Sequence, residues 1–317
     1  MRFRRLRNNQ NIRALVRETR LHKDDFIQPF FVIEGKNKRE KIPSMPGIDR
    51  LSTDLLLKEI ENFIRLGGRA GLFFGVPRVK DLTGEQAVLS DGLIPKTVAA
   101  IKKRFPEFLV VTDVCLCAYL KHGHCGILKG KKIDNDATIP LLGEMSVACA
   151  QAGADVIAPS DMMDFRVARI RQDLDKQDFQ DVLIMSYAVK YASSFYGPFR
   201  DAAHSAPEFG DRKSYQMDCA NAQEALKEAR QDIQEGADII MVKPALSYLD
   251  IISRLKSELT SPIAAYSVSG EYAMIKAAAA KNWINEKDMV LETATSIKRA
   301  GANIIISYHA KDILQWL

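Results

Sequence analysis

The 317-residue chain lacks several features that mark other classes of protein. No apolar run approaches the roughly 20 residues that a membrane-spanning helix needs. The basic first residues, 1–7, lack the apolar core of a signal peptide. No tract rich in Pro, Gly or Ser interrupts the chain as a linker would. We therefore expect a soluble, cytoplasmic protein that no linker divides into separate domains.

Cysteine is also scarce, and the chain has only five. An odd number argues against a disulfide framework, and a reducing cytosol disfavours structural disulfides. Cys149 and Cys219 stand alone and are interpreted as ordinary core or surface residues. The other three, Cys115, Cys117 and Cys125, lie close together in the sequence.

The three clustered cysteines follow the apolar run 108–112. Asp113, Cys115 and Cys117 alternate, so the two-residue period of a strand directs their side chains to one side of its end. A turn at Gly123 would bring Cys125 back to them. Three thiolates without an obvious fourth protein ligand suit a zinc ion with one position open, whereas structural zinc usually has four protein ligands. The alternative is a set of small core residues, because free cysteine is often buried.

Positive charge is concentrated at the N-terminus. Residues 1–23 contain eight Arg and Lys residues and one acidic residue, Glu18, which gives a net charge of +7. Because the whole chain carries +5, residues 24–317 carry −2. Aromatic residues other than Phe3 and nucleic-acid motifs are absent from this segment. We predict an arm, 1–23, that contacts an acidic surface of a second copy, with nucleic acid and membrane as the weaker alternatives.

Short apolar runs alternate with helix-like segments along residues 24–317. Continuous apolar runs are typical of parallel strands that are covered on both faces. Eight alternations predict a (β/α)8 TIM barrel with the arm extending from it. An open doubly wound sheet is the alternative, but no G-x-G-x-x-G motif follows the first strand. The apolar runs are 30–33, 72–74, 109–111, 156–158, 182–185, 239–242, 263–265 and 304–306; the helix-like segments lie near 52–66, 93–105, 140–152, 161–176, 220–235, 248–259, 271–281 and 291–300.

Polar residues follow the carboxyl ends of the predicted strands. A barrel brings these ends together at one mouth, which is where the active sites of such barrels lie. We therefore expect the following side chains to be neighbours: Asp113, Ser160, Tyr187, Lys190, Lys243, Ser269 and Tyr308.

Two of these residues, Lys190 and Lys243, are lysines in apolar surroundings. Burial and a nearby second cation both lower the pKa of a lysine from about 10.4. The resulting neutral amine can attack a carbonyl carbon and form a Schiff base. The alternative is that each side chain extends along the rim of the barrel to water.

The segment 193–217 is too polar for a core and too aromatic for a linker. We predict a lid that folds over the mouth of the barrel. Its two arginines, Arg200 and Arg212, are suited to bidentate binding of a carboxylate. The alternative is a solvated loop with surface arginines.

These motifs together resemble the porphobilinogen synthase (5-aminolevulinate dehydratase) family over essentially the whole chain. The cysteine cluster, K-Y-A-S-S-F-Y-G-P-F-R, G-D-R-K-S-Y-Q-M, M-V-K-P-A and Y-x-V-S-G-E-Y-A-M occur in the order of that family. The resemblance implies a barrel enzyme of tetrapyrrole (heme) biosynthesis. It would join two 5-aminolevulinate molecules into porphobilinogen with loss of two waters. Members have an N-terminal arm and commonly form octamers.

The resemblance also implies roles for individual residues. Lys243 and Lys190 would form Schiff bases with the substrates that supply the propionate and acetate sides. Ser269 and Tyr308 would hold one carboxylate, Arg200, Arg212 and Gln216 the other, and Asp113, Ser160 and Tyr196 would line the pocket. Cys115, Cys117 and Cys125 match the zinc-using branch; other members have aspartate-type ligands and depend on magnesium.

Two further positions gain meaning only from the resemblance. Glu228, in the helix-like segment 220–235, aligns with a glutamate that binds an allosteric magnesium ion near the subunit interface in some bacterial members. A solvated surface glutamate is the alternative. Phe165 stands where many relatives carry glycine after Asp-Met-Met-Asp, which leaves the matched site residues intact but changes the local packing.

Two other classes of function account for parts of the pattern. A class I aldolase with a single Schiff-base lysine would use the barrel and Lys243, but neither the three thiols nor Lys190. A non-catalytic zinc or redox sensor would use the thiols and leave the lysines and the lid without a role.

Overall fold

The eight predicted apolar runs all form strands of one parallel barrel in the computed structural model, which describes residues 1–317. Each strand pairs with the next, and the last pairs with the first at Phe26 and Ile305. The strands are β1 (Phe26–Ile33), β2 (Arg39–Lys41), β3 (Asp49–Ser52), β4 (Ala70–Val76), β5 (Leu109–Val114), β6 (Leu128–Lys129), β7 (Lys132–Ile133), β8 (Val156–Pro159), β9 (Leu183–Lys190), β10 (Ile239–Lys243), β11 (Ile263–Ser267) and β12 (Ile304–Ser307). All but β2, β3, β6 and β7 belong to the barrel.

Helices connect the barrel strands, and each predicted helix-like segment overlaps one of them. They are α1 (Gln10–Leu15), α2 (Thr53–Arg65), α3 (Leu93–Arg104), α4 (Asn135–Gln151), α5 (Arg166–Lys176), α6 (Gly197–Ala202), α7 (Gln223–Gln234), α8 (Leu249–Glu258), α9 (Ser269–Ala280), α10 (Glu286–Ala300) and α11 (Ala310–Trp316). Helix α4 starts earlier than predicted because Asp134 caps it, accepting a hydrogen bond from the Ala137 N–H at 3.1 Å. None of the helices is long and apolar enough to span a membrane.

The alternation of side chains along each strand divides the apolar core into two layers. In β4, Leu72 and Phe74 point into the barrel, whereas Phe73 packs in the layer under the helices. Near the carboxyl ends of the strands, polar residues replace the apolar side chains that fill the barrel interior. The predicted mouth is therefore continuous with the core.

The N-terminal arm contributes nothing to this core. No residue before Asp25 is buried, although the arm contains α1. Three apolar side chains in it, Phe3, Leu6 and Leu15, are exposed by 66%, 57% and 80%. Beyond the arm, the antiparallel pair β2 and β3 adds to the edge of β1, with Phe31 and Arg50 as register partners.

Phe165 occupies an unfavourable backbone conformation immediately before α5. Its φ of 62° lies in the left-handed region, where glycine is tolerated and bulky residues are strained. The side chain is 62% exposed and so gains little from packing in its own chain. This backbone conformation favours glycine, the residue that the family resemblance leads us to expect at this position.

We expect Phe165→Gly to stabilise the protein. Relief of the left-handed strain is worth about 1–2 kcal/mol and the added flexibility costs about 0.5–1 kcal/mol, so a net gain of up to about 1 kcal/mol follows. Thermal unfolding should show Tm higher by about 2 °C. Asp178→Gly is the control, because Asp178 has the same φ of 62° but aspartate adopts this region more readily. A lower Tm for Phe165→Gly would mean that the ring makes a stabilising contact.

Candidate active site

Two lysine side chains meet inside the mouth of the barrel. Lys190 at the end of β9 and Lys243 at the end of β10 are register partners on neighbouring strands. Both are buried, with 4% and 5% of their surface exposed. Burial, followed by the neighbouring Lys190 amine, lowers the pKa of Lys243 to about 7. A pKa near 7 leaves a substantial fraction of the Lys243 amine neutral at neutral pH, as nucleophilic attack requires. Neither lysine extends along the rim of the barrel to water, because both side chains are buried.

A β-bulge brings Lys190 into the interior. Between the paired positions Ile240–Ser186 and Val242–Val189, β9 contains one residue more than β10. Tyr187 therefore faces the interior, Val189 packs in the outer layer, and Lys190 faces inward again. Such bulges redirect side chains near active sites.

Aromatic rings surround the Lys243 amine. Its Nζ atom lies 4.6–5.1 Å from the ring centroids of Tyr187, Tyr196, Phe199 and Tyr266. Lys190 Nζ lies 5.6 Å from the same Tyr187 ring. The rings exclude water, and their negative faces still favour a nearby positive charge. The surroundings can therefore accommodate either the amine or a cationic imine.

Asp113 and Ser160 lie beside the two amines. Lys190 Nζ donates a hydrogen bond to the Ser160 carbonyl oxygen. Burial raises the pKa of Asp113 to about 6, against the opposing effects of the Ser160 hydrogen bond and of both lysines. Asp113 can thus exchange a proton near neutral pH within the lysine pocket.

The three predicted thiols also come together at the end of β5. The Sγ atoms of Cys115, Cys117 and Cys125 lie within 4.8 Å of one another, and all three residues are buried. Hydrogen bonds from Cys115 and Cys117 lower the pKa of the Cys125 thiol. The cluster therefore favours a negative charge at one sulfur, as a cation-binding site requires.

The donor set fits zinc. Tetrahedral zinc holds thiolates roughly 3.8 Å apart, so a small contraction would bring the three sulfurs to ligand distance. No fourth His, Cys, Asp or Glu ligand belongs to the group. A second group of ligand-type residues, Glu286, His309 and Asp312, lies elsewhere. In that group the Glu286 carboxylate already forms an ion pair with Lys276, at 2.5 Å.

The segment 193–217 contributes Tyr196 and Phe199 to the rings around the Lys243 amine, and its two arginines are buried (Arg212) or half-buried (Arg200). Arg212 donates hydrogen bonds to the Gly123 and Ser205 carbonyl oxygens at 2.8 and 2.6 Å. Arg200 lies on α6, and burial and the Arg212 charge lower its pKa. Neither arginine forms an ion pair with a carboxylate of the chain, so the two like charges are suited to an anionic ligand.

Comparisons with known proteins decide the family. The family model described as ALAD, delta-aminolevulinic acid dehydratase, matches residues 1–316. The chain belongs to this family. Delta-aminolevulinic acid dehydratase of Bacillus subtilis is 54% identical over 316 residues, which cover 100% of this chain and 98% of the relative. The Helicobacter pylori protein of the same name is 51% identical over 317 residues, with 100% and 98% covered.

A solved structure of the same family has the same fold. It is the Toxoplasma gondii delta-aminolevulinic acid dehydratase (porphobilinogen synthase) in complex with the reaction product porphobilinogen. The TM-score is 0.98 at 44% identity, with 100% of this chain and 91% of that chain covered. Membership of the delta-aminolevulinic acid dehydratase family makes this chain a hydro-lyase.

Three further residues expected at the site, Tyr196, Tyr308 and Ser269, form hydrogen bonds with Lys243 or with the aromatic residues around its amine. Tyr196 donates a hydrogen bond to the Lys243 carbonyl oxygen at 3.1 Å, and Tyr308 accepts one from Tyr266 at 2.9 Å. Ser269 accepts one from the Phe199 N–H of the lid at 2.9 Å. Gln216 is buried, and neither atom of its amide has a hydrogen-bond partner in the chain.

Glu228 lies apart from the lysine pocket, on α7. It lines a cavity of about 400 Å³ with three further carboxylates, Asp164, Asp218 and Glu224, and with lid residues 213–217. Burial raises the pKa of Glu228 to about 7, so this is not a fully solvated surface glutamate. Clustered carboxylates of this kind suit magnesium or another hard cation.

Some residues that support the site were not identified from the sequence. The sequence predicts Tyr187 at the mouth, but not that its ring contacts both lysine amines. It does not indicate that Tyr266 lies beside the Lys243 amine. Arg166 is buried and donates hydrogen bonds to Ser186 and Asp232 at 3.0 and 3.1 Å, which ties the segment after β8 to β9. Arg166 shares one face of α5 with buried Ile170 and Leu174, and that helical spacing was the available signal.

Proposed function

We propose that this chain condenses two 5-aminolevulinate molecules asymmetrically to porphobilinogen, with loss of two waters, in heme biosynthesis. The observation that carries the proposal is the pairing of Lys190 and Lys243 in one water-poor pocket, under a lid with two unpaired arginines. Family membership and the product named in the Toxoplasma structure support it. A single-lysine aldolase leaves Lys190 unexplained, and a zinc sensor leaves both lysines unexplained.

The lysines would act as nucleophiles. Each Nζ attacks the ketone carbon of one substrate, and loss of water leaves a Schiff base. The imine makes the carbonyl carbon more electrophilic and the α-carbon more acidic, which bond formation between two ketones requires. We assign Lys243 to the substrate that supplies the propionate side and Lys190 to the one that supplies the acetate side. Asp113, at a pKa of about 6, is suited to proton transfer between them.

The two substrate carboxylates would bind on different sides of the lysine pair. We assign Ser269 and Tyr308 to the first carboxylate, and Arg200, Arg212 and Gln216 to the second. The free hydrogen-bonding atoms of Gln216 and the unpaired arginines support the second assignment. Ser160 and Tyr196 would complete the pocket wall, since each contacts a lysine through a carbonyl or hydroxyl group.

Two metals belong to the proposal. Cys115, Cys117 and Cys125 would hold zinc, which supplies a Lewis acid beside the second substrate. Glu228 would bind an allosteric magnesium ion in its carboxylate-lined cavity, at the base of the lid. The thiols would bind as thiolates, which the low pKa of Cys125 favours.

The arm, residues 1–23, would join copies into a homo-oligomer, which we propose is an octamer. Its charge of +7 opposes the −2 of the remaining chain. Individual surface ion pairs contribute only about 0–1 kcal/mol each, so the exposed Phe3, Leu6 and Leu15 should add apolar contact area. None of these three side chains belongs to the core of its own chain.

Both lysines should be trapped by borohydride in the presence of 5-aminolevulinate. Reduction converts a Schiff base into a stable secondary amine, which peptide mass mapping locates. A pyrrole assay on the same sample measures porphobilinogen. We expect Lys243→Met and Lys190→Met each to lose at least about 1,000-fold in kcat, with Lys102→Met as an unaffected control at a partly buried ion pair. An active protein modified at neither lysine would overturn the mechanism.

The activity should depend on pH through Lys243. The amine must be neutral to attack, and with a pKa of about 7 it is increasingly protonated below that pH. We expect kcat/KM to fall about tenfold for each pH unit below 7. Glu271 also has a pKa of about 7 because it is buried, so Glu271→Gln is the control and should retain this limb. A limb near the ordinary lysine value would contradict the shifted pKa.

Removal of zinc should abolish turnover. A chelator should remove one ion per chain and stop porphobilinogen formation, and added zinc should restore it. Cys125→Ala should bind zinc weakly and remain inactive, whereas Cys149→Ala should behave as the native protein because Cys149 lies outside the cluster. Full activity of a metal-free sample, measured by elemental analysis, would refute the role of the thiols.

A further inference from the structure

Helix α6 of the lid is too short to be stable by itself. It has six residues, Gly197–Ala202, and isolated helices below about 12 residues are marginal in water. Arg200, which we assign to the substrate carboxylate, lies on this helix. The position of the arginine thus depends on contacts outside α6.

One set of contacts holds the beginning of α6. The Ser269 hydroxyl accepts a hydrogen bond from the Phe199 N–H at 2.9 Å. The Phe199 ring packs against Phe31 and Phe74, with centroid distances of 5.8 and 5.1 Å. These residues belong to the pocket and the barrel interior described above.

A different residue holds the end of α6. The last carbonyl groups of a helix lack partners within it and need donors from elsewhere. Arg50 supplies them: Nε donates to the Ala202 carbonyl oxygen and Nη2 to that of Asp201, each at 2.6 Å. The Ser44 hydroxyl adds a hydrogen bond to the Asp201 carboxylate at 2.6 Å.

Arg50 is well suited to this role because it is fixed outside the lid. It lies on β3, in register with Phe31 of the barrel strand β1. Its surface is only 5% exposed, and its nearest carboxylates, Glu40 and Asp201, are 4.0 and 3.9 Å away. The carbonyl groups of α6 are therefore its closest partners. A lysine could not reproduce the planar fork that reaches both carbonyl groups.

We propose that Arg50 is a positioning residue for substrate binding: it holds the end of α6 in the closed lid and so places Arg200 against the substrate carboxylate. The proposal rests on the proposed function of Arg200. Arg50 itself does not contact the lysine pocket.

The test compares Arg50→Lys with Arg39→Lys. Arg39 is the matched control, because it lies on the same strand pair but is 46% exposed and pairs with Asp49 and Glu59. Loss of one charge-assisted hydrogen bond should raise KM for 5-aminolevulinate about tenfold in Arg50→Lys, with kcat changed less than about threefold. Trypsin should cleave after Arg200 about five to ten times faster. Arg39→Lys should change neither value.

The other outcomes are also decisive. Unchanged KM and unchanged cleavage after Arg200 would overturn the proposal, as would a lower Tm without a change in either. If Arg50→Lys does not fold, Ser44→Ala replaces it, since that side chain is half-buried and its hydroxyl hydrogen-bonds to the Asp201 carboxylate of the lid. Ser44→Ala should raise cleavage after Arg200 about twofold, and no increase would count against the proposal. If the native protein forms no pyrrole, the proposed function fails, while the cleavage rates still decide whether Arg50 holds α6.

Discussion

Two amines that lie side by side in an interior without water cannot both carry a full charge without cost, because Coulomb repulsion increases as the dielectric constant falls. The end of the β9–β10 pair creates this situation with Lys190 and Lys243. The other groups of the pocket reduce the cost of a positive charge on these amines. Aromatic faces surround one amine, a backbone carbonyl oxygen accepts from the other, and Asp113 lies near both. Burial, followed by the neighbouring Lys190 charge, is what lowers the pKa of Lys243.

The lid adds both aromatic rings and positive charge to the surroundings of the two amines. It contributes Tyr196 and Phe199 to the aromatic wall around Lys243 and carries two arginines whose charges repel each other. The two like charges repel each other, so groups outside the lid must hold it in place. Gly123 accepts a hydrogen bond from Arg212, Ser269 accepts one from the Phe199 N–H, and Arg50 donates to the carbonyl groups at the end of α6. Closure thus relies on directional hydrogen bonds, and the positive potential remains available to an anion.

Much of this arrangement could be predicted from the sequence, since the relevant signals are local. Apolar runs located all eight barrel strands, and strand ends located the lysines and the thiols. Other features depend on contacts between distant residues. The bulge in β9 results from pairing with β10, and α6 forms because other segments hold its ends. The pair β2 and β3 shows no apolar pattern, because β2 is short and exposed and β3 buries Arg50 and Ser52 beside one apolar residue, Leu51. Residue roles such as those of Gln216 and Glu228 came from family resemblance and remain proposals.

The extra residue in β9 has a consequence for how this site can vary. Side-chain direction alternates along a regular strand, so a residue three positions after the inward-facing Tyr187 would point out of the barrel. The bulge absorbs the extra residue and returns Lys190 to the interior, in register with Lys243. Deletion of Ala188 or Val189 would leave one residue between the tyrosine and the lysine, so a regular strand without a bulge would still direct the amine inward. A substitution that removes the bulge without shortening the strand would instead turn the amine towards the helices.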